Sequence, residues 1–184
     1  MSFDTPHSPK NREINNVAAL KVPPHSVDAE QAVLGGLMLD NTEWDNLADV
    51  LLPEDFYRPE HQIIFRVMSQ QSEDRSPIDV VTLMGSLNSL NELESAGGIE
   101  YLSELTDNAR GTANIHAYAE IIRERAILRR LISVANGIAN SGYNTGGKKA
   151  AVVLDEAEQE VFSIADERPQ DQGPVPINPL LSKA

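Results

Sequence analysis

Two apolar rows of identical spacing flank one glycine-rich stretch, and they restrict what this chain can fold into more than any other feature. Leu128, Leu131, Ala135 and Ile138 are three, four and three residues apart, and Leu154, Ala157, Val161 and Ile164 repeat the pattern. That spacing puts side chains along one face of an α-helix. Between the rows lies GYNTGGKK, residues 142–149, a length suited to reversing direction. The expected unit is an antiparallel helical hairpin over residues 114–168. Arg123, Arg125, Arg129 and Arg130 load its first arm, while Asp155, Glu156, Glu158 and Glu160 load the second, which favours pairing. Two helices alone bury little apolar area, so a hairpin of this length calls for a partner surface.

The same glycine stretch also approaches a phosphate-binding loop, G-x-x-x-x-G-K-[ST], with Gly142, Gly147 and Lys148 in register. Such a loop follows a buried strand and needs a hydroxyl for Mg²⁺ at its last position. Here LISVANGIANS, a helical pattern, precedes it, and Lys149 replaces the hydroxyl. Chain reversal explains the glycines by itself, because turns call for positive φ.

Ahead of the hairpin, residues 23–113 read as a small orthogonal bundle of about five to six helices. Pro23 and Pro24 end whatever precedes them. Ser26 is placed to cap a helix with Asp28 and Glu30 in its first turn. Val27, Leu34, Leu37 and Met38 share a face of it. Gly35 and Gly36 within that helix each cost about 1 kcal/mol relative to alanine, which points to close approach of another helix. Asn41 is the expected cap of a second helix, with Trp44, Leu47, Val50 and Leu51 turned inward and Phe56 delivered to the core by the following turn. Pro59 suits the first turn of a third helix, and Asp79 a cap of a fourth. A fifth follows Gly97-Gly98. No stretch alternates with period two, so the fold class is all-α. Residues 1–22 lack apolar periodicity and read as a flexible tail, and residues 169–184 as a proline-rich linker.

Composition narrows function. Residues 23–113 hold 17 Asp and Glu against 4 Lys and Arg, whereas residues 114–168 hold 8 against 7. An acidic front part repels nucleic-acid backbones and suits a basic protein partner. There is no cysteine, which removes disulfides and thiolate metal sites. His7, His25, His61 and His116 lack metal-ligand spacing. No apolar run approaches the roughly 20 residues of a membrane span. The residues thus describe an interaction module, with no catalytic, cofactor or metal site expected in it.

Several blocks resemble the N-terminal domain of the bacterial replicative DNA helicase, the DnaB family: KVPPHSVDAEQAVLGGLMLDNTEWD, DFYRPEHQIIFRVM, SPIDVVTLMGSL, GGIEYLSEL, NIHAYAEIIRERAILRRLISVANGIA and LDEAEQEVFSIADER. They cover residues 21–168 in order. The resemblance implies a helical bundle followed by a hairpin, part of a collar built as a trimer of dimers in a hexamer. It implies docking of the primase helicase-binding domain and influence on a helicase loader. The parent would unwind DNA 5′→3′ with ATP and Mg in a motor domain absent from this sequence, and DNA would be bound through that motor. LLSKA would begin the linker helix, so the chain is expected to stop within it. The expected place is the cytoplasm, at the nucleoid and replication fork. A free-standing helical adaptor without a motor is the alternative.

On this basis Leu128, Leu131, Ala135, Ile138, Leu154, Ala157, Val161 and Ile164 are expected to form the buried hairpin seam. Ile127, Ile132, Val134 and Val153 would lie off it, facing a second hairpin or primase. Ile99, Tyr101 and Leu102 are candidates for head-to-head pairing. Charge at Leu131 is then expected to break the hairpin, and charge at Ile132 or Val134 to weaken docking only.

Overall fold

The computed structural model describes residues 22–109 and 114–166. The expected tail, the linker and the start of a linker helix lie outside these, apart from Val22. Among the described residues there are seven α-helices and no strand: α1 Val27–Leu39, α2 Trp44–Ala48, α3 Pro59–Glu73, α4 Val80–Ser89, α5 Gly98–Ala109, α6 Ile115–Tyr143 and α7 Ala150–Asp166. The all-α class read from the sequence is the one observed.

Local chemistry sets most of these boundaries. Ser26 Oγ accepts from Ala29 N–H at 3.4 Å and starts α1. Asp79 Oδ1 accepts from Val81 and Thr82 N–H, and Thr82 Oγ1 takes the Asp79 N–H in return, a reciprocal cap for α4. Pro59 occupies the first turn of α3, where its missing N–H costs nothing. A 3₁₀ turn, Asn41–Glu43, precedes α2, which itself has no side-chain cap. Asp40, not Asn41, accepts from Thr42 N–H at 2.9 Å. Asn41 instead ties two segments together, its amide donating to Leu37 O and Ile78 O and accepting from Ile78 N–H.

Helix α1 is buried on nearly every side, as a central helix must be. Its glycine pair allows this. A Cβ at Gly35 would lie 2.0 Å from the Leu105 carbonyl oxygen of α5, and one at Gly36 would lie 2.8 Å from Ile115 Cδ1 of α6. Around α1 sit Trp44, Leu47, Leu51, Phe56, Phe65, Met68, Leu83, Leu87 and Leu102, all buried. Burial of each contributes roughly 1.5–3 kcal/mol. Trp44 and Phe56 flank Phe65 with ring centroids 5.3 and 4.8 Å away.

Helix α6 belongs to both parts of the molecule. Ala119, Ile122, Arg123 and Ala126 in its first half are buried in the bundle. Beyond Ala126 no residue of α6 is fully buried. A division at residue 113 therefore does not separate two packing units. The chain crosses from bundle to hairpin inside one continuous helix, about 43 Å long at 1.5 Å per residue.

Candidate protein-interaction surface

The root of the hairpin is built on Asp55, which is fully buried in the turn before α3. Arg123 Nη1 donates to both its carboxylate oxygens at 3.2 and 3.0 Å, and Arg130 Nη2 donates to Oδ1 at 3.1 Å. Leu52 N–H donates to Oδ2 at 2.9 Å. Arg129 donates to the Asp55 carbonyl and, at 2.8 Å, to Pro24 O. Its guanidinium also lies over the Tyr57 ring, which stacks on His25. Burial lowers the Arg129 pKa from its ordinary value, while the Glu30 and Asp55 carboxylates oppose that shift. Arg123, Arg129 and Arg130 thus bind the head. They do so because Asp55 is close and shielded from water. Lys148 Nζ of the connecting loop reaches Glu156 of α7 at 2.7 and 2.8 Å.

A second buried network aligns the bundle beneath this root. Glu30 accepts from Tyr57 N–H at 2.7 Å and meets His61 Nδ1 at 2.6 Å. His61 Nε2 meets Tyr101 Oη at 2.7 Å, and Gln31 donates to the same hydroxyl at 3.2 Å. Tyr101 is therefore held inward, and Leu102 is 0% exposed. Neither offers its side chain freely for head-to-head pairing. Of that candidate trio only Ile99 is exposed. Two strongly polar residues are committed to the core because each finds two or more partners there.

The loop at 144–149 reverses the chain. Gly146 and Gly147 have φ of 59° and 84°, and α6, not a strand, leads into it.

The hairpin arms meet along a different row from the one expected. Ile138 and Ser141 of α6 and Val153, Glu156, Ala157 and Glu160 of α7 enclose one small space between the arms. Gly137 faces the Glu160 carboxylate. Ile127 and Val134, both half-buried, continue the row toward the root, and Ile164 is half-buried on α7. Leu131, Leu154 and Val161, expected in the seam, are 46%, 63% and 47% exposed, and Ala135 is exposed too. Leu128, Ile138 and Ala157 are half-buried. Val134 and Val153, expected off the seam, are half-buried, whereas Ile132 is exposed.

The displaced row has its own geometry. Each residue turns about 100° round a helix. Leu131 and Ala135 therefore lie roughly a quarter turn from the α6 side of the seam. Leu154 and Val161 lie roughly a quarter turn from the α7 side in the same rotational sense. Because the arms are antiparallel, both quarter turns open on one side of the hairpin. The result is one apolar face spanning both arms, with no covering element among the described residues. Ile132 and Phe162 lie on the outer backs of the two arms and are also exposed. Phe162 and Tyr143 are exposed as well, and no sequence pattern marks them. A lone aromatic in an acidic helix or beside a turn carries no period that marks it.

Fold and surface together define an all-helical module that carries a two-helix arm with an exposed apolar face. Residues 22–124 match the family described as "DnaB-like helicase N terminal domain", and the chain belongs to that family. The replicative DNA helicase DnaB of Haemophilus influenzae is 48% identical over 151 residues, which is 82% of this chain and 32% of that protein. The chain thus spans about a third of the length of the curated relatives it matches. Among solved structures, the N-terminal domain of DnaB helicase from Mycobacterium tuberculosis superposes with a TM-score of 0.72 at 33% identity, covering 77% of this chain and 99% of that one. The N-terminal domain of the Helicobacter pylori helicase, described with its interactions with primase, gives a TM-score of 0.54 at 28% identity, over 63% of this chain and 90% of that one.

Among the described residues no group of three or more His, Asp or Glu side chains could hold a metal, and no helix is long and apolar enough to cross a membrane.

Proposed function

We propose that this chain is the assembly and docking module of a replicative DNA helicase, and that its hairpin face pairs with the hairpin of a second copy. The observation that carries the reading is the row Leu131, Ala135, Leu154 and Val161, apolar yet exposed on both arms. A self-complementary apolar face is what a two-fold dimer needs, since each copy then presents and receives the same surface. Ile132 and Phe162, on the backs of the arms, remain for another polypeptide. That polypeptide is the helicase-binding domain of primase, a reading supported by the primase interactions described for the Helicobacter pylori relative. The Asp55 root gives the arm a fixed base.

In the whole protein the dimers assemble as a hexameric collar and bear on loader action. ATP, Mg and DNA are handled by a motor domain elsewhere in that protein, which works in the cytoplasm at the replication fork. Titrating the primase helicase-binding domain into the 184-residue chain by calorimetry tests the docking role. Saturable binding that weakens about tenfold in Ile132→Glu, a loss of about 1.4 kcal/mol, is expected. Absence of heat with the unaltered chain, or equal affinity in the variant, contradicts it.

A further inference from the structure

The single tryptophan of the chain packs in the core but leaves its only polar atom unused. Trp44 is 7% exposed and lies against Phe65, yet its indole N–H makes no hydrogen bond among the described residues. An indole nitrogen only donates, so no flip or tautomer can satisfy it. Nor is it sealed in, because the one fully enclosed side-chain atom without a partner among the described residues is Gln71 Oε1. The indole N–H is therefore open to solvent. Its ring lines a depression of about 390 Å³, shared with Asp45 of α2, Ser72 of α3, and Arg75, Ser76 and Pro77 of the segment after α3. Arg75 and Asp45 are exposed, and neither forms an ion pair or a side-chain hydrogen bond among the described residues, although both line this one depression. Asn41 lines it too, but its amide is engaged by Leu37 and Ile78. Arg75 also closes the end of α3 with φ of 55°, a left-handed position that favours glycine.

We propose that this depression receives the side-chain carboxamide, glutamine or asparagine, of a docking polypeptide. The lining offers one fixed donor, one cation and one anion, with no net charge. A carboxylate would meet Arg75 but be opposed by Asp45 and by the acidic front part of the chain. An ammonium would leave the indole N–H unmet. A carboxamide answers all three groups: its oxygen accepts from the Trp44 N–H and from Arg75, and its NH₂ donates to Asp45. Its methylene stem rests on Pro77. That the amide belongs to a polypeptide rests on the docking role proposed above. That the depression selects a neutral amide does not.

The test uses the 184-residue chain, ¹⁵N-labelled, in which one tryptophan gives one indole signal. N-acetyl-Gly-Gln-Gly-amide should move that signal, with the Ser72 and Ser76 amides, in a saturable way. The same peptide carrying glutamate or leucine shares the backbone amides and should respond far more weakly. Arg75→Gly suits the left-handed turn, so it should raise the melting temperature. The same variant should weaken the glutamine response about tenfold, the size of one charge-assisted hydrogen bond. A still indole signal, an equal or stronger response to either counterpart, or an unaltered response in Arg75→Gly each overturn the proposal. So does a weakening that comes with a lowered melting temperature, which would make Arg75 a structural residue. Hairpin pairing is read separately from molar mass, so the two readings fail independently.

Discussion

Arg123 and Asp55, 68 residues apart in sequence, form a buried ion pair with both carboxylate oxygens within 3.2 Å of Nη1. Asp55 has no exposure, and the Arg123 side chain is 10% exposed. The pair joins the turn before α3 to the first half of α6, one turn before bundle gives way to hairpin. Asp55→Asn leaves guanidinium charge facing a neutral amide in a shielded place. The expected loss is about 3 kcal/mol, measured by urea unfolding. A loss below about 1 kcal/mol would show the root to be held by packing alone.

The glycines of the bundle divide into two kinds. Gly35→Ala drives a Cβ into the Leu105 carbonyl and should cost about 3 kcal/mol or more. Gly85→Ala, in α4 with open space around it, should gain up to about 1 kcal/mol through helix propensity. Thermal unfolding of the two variants should move in opposite directions, and a parallel shift would refute the close approach of α1 and α5.

Tyr101 belongs to the core network rather than to an interface. Tyr101→Phe removes the hydroxyl that meets His61 Nε2 and Gln31. It should cost about 1–3 kcal/mol in unfolding free energy while leaving molar mass unchanged. A variant of unchanged stability that dissociates would restore the pairing role.

Asp40 carries the clearest acid response. The Thr42 hydroxyl, and after it the Thr42 N–H, hold its carboxyl below the ordinary value of 3.8. A lowered folded value means the cap stabilises the fold fully above the ordinary carboxylate value. That contribution fades as pH falls through the folded value. Thr42→Val should raise the Asp40 midpoint in a carbon-detected NMR titration, and an unmoved midpoint would remove the hydroxyl from the account.

What could be read from the sequence was what local chemistry decides. Ser26 and Asp79 cap their helices through contacts two or three residues away, and Gly35-Gly36 announces a close neighbour without naming it. The family blocks carried the fold. The hairpin phase differs from the expected one for a physical reason. On both arms two apolar rows run side by side, and a three-four-three spacing cannot say which row faces its partner. Alanine, glycine and glutamate line much of the true seam, at Gly137, Glu156, Ala157 and Glu160, so the larger side chains of Leu131, Leu154 and Val161 drew the reading outward. The Asp55 root was invisible because its partners lie 68 to 75 residues away. In sequence Glu30 is a first-turn charge of α1, and only the fold brings His61 and the Tyr57 N–H to it.

The corrected phase changes what Leu131 and Leu154 should do, since charge there no longer enters a seam. The most direct test is the molar mass of the 184-residue chain by multi-angle light scattering, beside that of the double variant Leu131→Glu and Leu154→Glu, with circular dichroism to follow helicity. The unaltered chain should have the mass of at least two copies and the variant the mass of one, at equal helicity. A monomeric unaltered chain, or a variant that keeps its mass, would contradict pairing through this face.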